Sequence, residues 1–281
     1  MKFNLSGRAA LLRGLELGRR GSAALPLMVA LVLFFAVGAR AETTNALSDA
    51  EIQGRQLAQQ LCEGRPPENF TNTGILQIRD GHGNRFEIPI KSKAIVTSND
   101  WRIVYEASIT NEMTRLLVIH AVGSANTYFY NTNLTTRVPV LGDIPTLGHL
   151  FRSSKISDGE IFLPFAHSDF WICDLGLEFL HWPAQKILPK PTNLKRGRAY
   201  TLLESTNPNP STNGYSRVLS WIDTESGGIL AAEAYDVNGK LLKEFEPKSF
   251  KKVDGQWQLQ EMEIRNAQTG SRTRLEFDLK K

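Results

Sequence analysis

The sequence predicts an α+β fold, a mostly antiparallel sheet with one apolar face and a helical cover over that face. Three observations carry the prediction. The C-terminal third alternates apolar and polar residues in five segments separated by turn signals at Asp223–Gly228, Asn238-Gly239, Asp254-Gly255 and Thr269-Gly270. The stretch SDFWICDLGLEFLHWP, residues 168–183, is too rich in large apolar groups for an exposed loop. Ser48-Asp49-Ala50-Glu51 reads as a capping box at the start of a helix.

The elements follow in order. Met1–Ala41 carries a cationic leader, the apolar run Ala23–Val37, and then Ala39-Arg40-Ala41, small residues at the two positions a signal peptidase reads. A secretory signal cleaved before Glu42 is expected, with 42–281 as a single domain exported to the periplasm. An uncleaved anchor stays open, because the run is near the short end of what spans a bilayer. This segment holds six of the 33 basic residues and one of the 29 acidic ones, leaving 27 bases against 28 acids. No basic field remains to hold nucleic acid.

After Ser48, Ile52, Leu57 and Leu61 give an apolar stripe, and Gly64 and Pro66-Pro67 end the helix. Gly74–Arg79 and Arg85–Ile90 flank Asp80-Gly81-His82-Gly83-Asn84, a hairpin turn. Trp101–Ile109, Arg115–Val122 and Asn126–Asn131 are further β runs. Residues 132–164 read as an apolar inserted loop punctuated by Pro139, Gly142, Pro145 and Gly148. In 168–183, Ser168 or Asp169 is placed to cap a helix and Pro183 to end it. Phe170, Trp171, Leu175, Phe179, Leu180 and Trp182 then act as a plug, either packed permanently on the sheet or yielding to an apolar guest.

Alternation sorts the C-terminal faces. Val218, Ile222, Leu230, Ala232, Ala234, Met262, Ile264, Leu275, Phe277 and Leu279 share one face, and Arg217, Glu233, Glu261, Glu263, Arg274 and Glu276 share the other. Of the apolar set, Val218, Ile222, Leu230, Ala232, Met262, Ile264, Leu275 and Phe277 are the candidate lining of a binding cavity. Cys62 and Cys173 either bridge in an oxidising compartment or act as two buried thiols.

Two resemblances bear on function. The one-sided sheet, the segment SDFWICDLGLEFLHWP and the run from Gly214 to Phe277 resemble LolA-like outer-membrane lipoprotein-sorting proteins, in the branch carrying the S-D-F segment. That resemblance implies a strongly bent sheet, an incomplete β-barrel, with helices over an apolar cavity for acyl chains. It implies lipoprotein acyl chains or another lipid as ligand, with inner-membrane loading and outer-membrane accepting proteins as partners. It implies no catalysis and no cofactor. No residue matches the carrier's lid arginine at motif level. Residues 138–152, VPVLGDIPTLGHLFR, are similar to a run in secretin export channels. Too little chain surrounds them for a secretin gate and its ring domains, and their turn and apolar residues explain the run locally.

Catalytic signals are poor. His167, Asp169, Asp174 and His181 lie close in sequence, yet their spacing matches no metal-site pattern. No glycine-rich phosphate loop or G-x-S-x-G elbow is present. The sequence therefore predicts a periplasmic carrier or binder of acyl chains in lipoprotein sorting. A structural or sensory component of an envelope machine, built on the same fold, is the alternative.

Overall fold

The computed structural model describes residues 47–110, 112–121, 123–134, 155–157, 159–253 and 255–279. The expected signal segment and the secretin-like stretch 138–152 lie outside the described residues, as does most of the inserted loop.

Helix α1 spans Asp49–Cys62 and opens on the expected capping box. The Ser48 amide donates to the Glu51 carboxylate at 2.8 Å, and the Glu51 amide donates back to Ser48 Oγ. The packing face differs from the expected stripe. Ile52 is exposed, and the helix is buried through Gly54 and Ala58 with Leu57 and Leu61 alongside. Gly54 explains the rotation, because a Cβ there would sit 2.5 Å from Lys186 N. The helix backbone rests directly on a strand, and only small residues fit that contact.

Among the described residues thirteen strands follow: β1 Phe70–Arg79, β2 Arg85–Val96, β3 Asp100–Ile109, β4 Glu112–Ala121, β5 Thr127–Leu134, β6 Ala184–Leu188, β7 Leu194–Lys195, β8 Arg198–Thr206, β9 Arg217–Asp223, β10 Ile229–Tyr235, β11 Leu241–Val253, β12 Gln256–Asn266 and β13 Arg272–Asp278. The hydrogen-bonded order is β5-β4-β3-β2-β1-β13-β12-β11-β10-β9-β8-β6, with β7 paired to β8 off this path. Every pairing is antiparallel. The order is a line with two ends, so the sheet does not close into a barrel. Two meanders, β1–β5 and β9–β13, are sewn together where β1 meets β13, with Leu76 opposite Leu275. Gly74 permits the close approach, since a Cβ there would lie 2.2 Å from Glu276 O.

Side chains from both meanders enter one core cluster. Leu76, Ile90, Leu116 and Val118 from the first share it with Val218, Ile222, Ile264 and Leu275 from the second. A flat sheet of this width could not bring its two ends onto one core, so the sheet curls around what fills its concave side.

The faces of the C-terminal meander need two corrections. Leu230 does not lie on the concave face. The register slips between Ile229 and Ala231, a bulge that turns Leu230 outward and lets Ile229 pack inward instead. The convex face is also not uniformly wet. Tyr200, Leu202, Trp221 and Ala231 form a second buried cluster there, with Leu188, Leu219 and Leu230 packed against it. Residues near β7 fold back over this cluster: Lys195 Nζ stands 3.9 Å from the Trp221 ring centroid, and Tyr200 Oη donates to the Thr192 carbonyl at 2.8 Å. The charged positions do pair across strands, with Arg274 3.1 Å from Glu261 and 3.4 Å from Glu263. Glu263 is only 7% exposed, and Lys248 supplies its second cation at 3.5 Å.

Candidate functional site

The concave face is filled by the segment from Glu160 to Trp182. It is mostly irregular chain. A 3-10 turn at Glu160–Phe162 leads to a short bridge between Pro164 and Trp171, the helical turn α2 Ile172–Leu175 and a second 3-10 turn Glu178–His181. Phe170, Leu175, Phe179, Leu180 and Trp182 are buried against the sheet, while Trp171 is half-buried and stacks on Tyr215 with ring centroids 4.7 Å apart. Phe165, Ile172 and Cys173 are buried with them. Ala166, His167 and Leu177 have positive φ (49°, 57° and 51°), a region that costs a non-glycine residue about 1 kcal/mol or more. Contacts elsewhere must hold the segment in this shape.

Those contacts are polar. The expected caps do not form: Ser168 Oγ instead donates to the Phe165 carbonyl at 2.6 Å, and Asp174 accepts the Trp171 amide at 2.7 Å at the start of α2. The Asp169 carboxylate accepts hydroxyl bonds from Ser271 and from Thr273 of β13, the latter at 2.8 Å. At the other end Glu178 accepts from Tyr128 Oη of β5 at 2.8 Å and from Asn126 at 3.2 Å. Gln185 of β6 donates to the carbonyls of Phe179 and Trp182, both at 2.9 Å, and is itself held by Ser205.

The central latch is Asp174 with Lys243 and Tyr215. Lys243 Nζ lies 3.3 Å from Asp174 Oδ2 and donates to the Asp169 carbonyl at 2.7 Å. Tyr215 Oη donates to Asp174 Oδ1 at 2.9 Å. Burial pulls Lys243 below its ordinary value, with Asp174 opposing. Burial, then Asp174, push Tyr215 well above its own, so its hydroxyl stays a donor. The sequence reading missed Lys243 and Tyr215. A signal for Lys243 was present, because it falls in the inward phase of β11, two residues before Phe245, opposite Ala234.

A void of about 30 Å³ lies between the cover and β9–β12, walled by Val218, Ala232, Ala234 and Ile264 with Asp174 and Lys243 at its edge. This holds about one water. Among the described residues, the cover thus packs on the face where the family resemblance implies a cavity.

Of the candidate lining residues, Val218, Ile222, Ala232, Met262, Ile264, Leu275 and Phe277 lie in the core beneath the cover, and Leu230 lies outside it. Cys62 and Cys173 are both free thiols, so the bridge is not formed. Burial raises the Cys62 thiol to about 12 and Cys173 well above its usual range, which leaves both poor nucleophiles. His167, Asp169, Asp174 and His181 are not brought together as a ligand set: His167 faces Glu112 at 3.9 Å, Asp169 faces β13 and Asp174 faces Lys243. No cluster of three metal-ligating side chains occurs among the described residues.

Solved structures share the fold. An outer-membrane lipoprotein-sorting protein domain from Vibrio parahaemolyticus superposes with a TM-score of 0.62 at 20% identity, covering 82% of this chain and 92% of that one. The fold is LolA-like. A LolA-superfamily protein from Nitrosomonas europaea matches at TM-score 0.54 and 14% identity, covering 83% and 93% of the two chains. A DUF1329-family protein from Desulfovibrio piger matches at TM-score 0.61 and 17% identity, covering 82% and 92%. A family model described as an uncharacterized protein matches residues 147–280. No curated protein matches the chain by sequence. The LolA-like fold thus places the cover and the C-terminal meander in one architecture.

Proposed function

We propose that the chain is a periplasmic binder or carrier of acyl chains. One observation carries the reading: the apolar concave face is covered by a single irregular segment tied down by side-chain latches. An acyl chain cannot cross water exposed, because each buried CH₂ is worth about 0.8 kcal/mol. A carrier must match that burial and then release it. A cover that competes with the guest for one surface meets both needs, since the guest gains the face the cover gives up. The LolA-like fold supports the same reading, and inner-membrane loading and outer-membrane accepting proteins are the partners it calls for.

A second reading is favoured by the void of about 30 Å³. If the cover never leaves, the fold serves as a structural or sensory part of an envelope assembly. Titration of the purified protein with a fluorescent acyl probe, followed by mixing with vesicles, separates the two. The carrier reading expects one probe per chain and transfer to the vesicles. Absence of binding, with a protein partner retained through purification, would favour the static component.

A further inference from the structure

The latch points to the head group of the guest. Lys243 is 2% exposed, and its close polar partners all come from the cover: Asp174 Oδ2 at 3.3 Å, the Asp169 carbonyl at 2.7 Å and the Trp171 ring centroid at 3.5 Å. The Tyr215 ring also stands 5.5 Å away, and its hydroxyl is itself committed to Asp174 Oδ1. Withdrawal of the cover would strip the ammonium of its counter-ion and leave it on an apolar sheet face. It would also leave the Tyr215 hydroxyl without its acceptor. A neutral acyl chain repairs neither loss, and an unpaired buried charge costs more than the chain's burial readily offsets.

We propose that the guest is a long-chain carboxylate whose head group takes the place of the Asp174 carboxylate on Lys243 and Tyr215. This rests on the acyl-binding reading above and narrows it to one ligand class. Two donors converge on the two oxygens of one carboxylate, Nζ on Oδ2 and Oη on Oδ1. A fatty-acid head has the same two oxygens and the same charge. Its chain would run from that point over Val218, Ala232 and Ile264, which wall the small void that Lys243 borders. Asp174 then acts as an internal stand-in for the guest, holding the cover closed until a competing carboxylate arrives.

The test compares palmitate with methyl palmitate, which keeps the chain and removes the charge, by displacement of a fluorescent acyl probe. Wild-type protein is expected to favour palmitate by about tenfold or more, the worth of a charge-assisted hydrogen bond. Lys243→Gln should lose that preference, with palmitate and its methyl ester bound about equally. Asp174→Asn, which retains Lys243 and removes its internal competitor, should bind palmitate several-fold more tightly than wild type, so the proposal does not hang on one variant's folding. Equal affinity of wild type for palmitate and ester would overturn the proposal and leave acyl binding standing. Binding of neither would overturn both. Tighter binding of phosphatidylglycerol than of palmitate would overturn the carboxylate assignment in favour of a phosphate head.

Discussion

Ile264 and Glu263 are neighbours on β12 that face opposite sides of the sheet, and both are buried. Ile264 is 2% exposed in the main core, on the same small void as Lys243, whose ammonium is already paired with Asp174. Glu263 lies between Arg274 and Lys248 on the convex side. Burial alone therefore does not rank these two positions; the partners do. Asp in place of Ile264 would put a second carboxylate into apolar packing where the nearby ammonium of Lys243 is already paired with Asp174, and the protein is expected not to fold. Glu263→Asp keeps the charge but shortens its reach to both cations. It should cost about 1 kcal/mol, the scale of one weakened hydrogen-bonded ion pair. Urea unfolding of the two variants checks this, and equal behaviour would sink the assignment of faces.

His181 of the cover acts electrostatically on His120 of β4. His120 stacks on Trp101 with ring centroids 3.7 Å apart, with Asn126 beside it as a hydrogen-bonding side chain that opposes its shift. Burial, with His181 on the cover adding to it, lowers His120 from 6.5 to about 4. His181 is also lowered by burial, with a bond to Ser124 opposing. The unfolded chain therefore takes up these protons at a higher pH than the folded one. Stability from this pair is fully present above about 6.5 and is lost as pH falls toward 4, the region where His120 charges in the fold. The carboxylates lowered by their partners, Asp100 by Arg102 and Asp223 by Arg198 and Ser226, act in the same direction but only further into acid. Chemical unfolding at a series of pH values should show a decline below neutral, and His120→Phe, which keeps the stack on Trp101, should flatten most of it. An unchanged slope in that variant would remove His120 from the account. At this scale the sequence was legible wherever one face of an element was buried and the other wet. Helix α1 was placed by its capping box, and the first hairpin and the turns of β9–β13 by turn residues between alternating runs. Strands β6 and β8 were not, because β8 is buried on both sides, with Tyr200 and Leu202 outward and Leu203 inward, and alternation vanishes. The bulge at Leu230 was invisible for a related reason: alternation assumes an unbroken register, and nothing in Gly228-Ile229-Leu230 announces the slip.

Across the whole molecule, pairing of β1 with β13 decides whether the two meanders share one concave face, and no local pattern in the sequence specifies that pairing. The central latch escaped for the same cause, since Lys243, Asp174 and Tyr215 come from three places in the chain and only the curled sheet brings them together. The shared face makes the carrier reading a statement about motion, because guest and cover cannot occupy it at once. A clamp tests this directly. Asp169 and Thr273 face each other across the junction of cover and β13, with the carboxylate 2.8 Å from the hydroxyl and the Asp169 amide 2.9 Å from it. Asp169→Cys with Thr273→Cys, in a chain whose Cys62 and Cys173 are changed to Ala, should form a bridge on oxidation. The loop closed would be about 100 residues, which the chain-entropy account credits with about 4–5 kcal/mol of added stability. Oxidised protein should unfold at higher denaturant and bind no acyl probe. Reduction should restore binding to at least the wild-type level, because the Asp169 latch is gone. Undiminished binding by the bridged protein would mean the guest enters without moving the cover at β13, and competition for one surface would have to be given up as the mechanism.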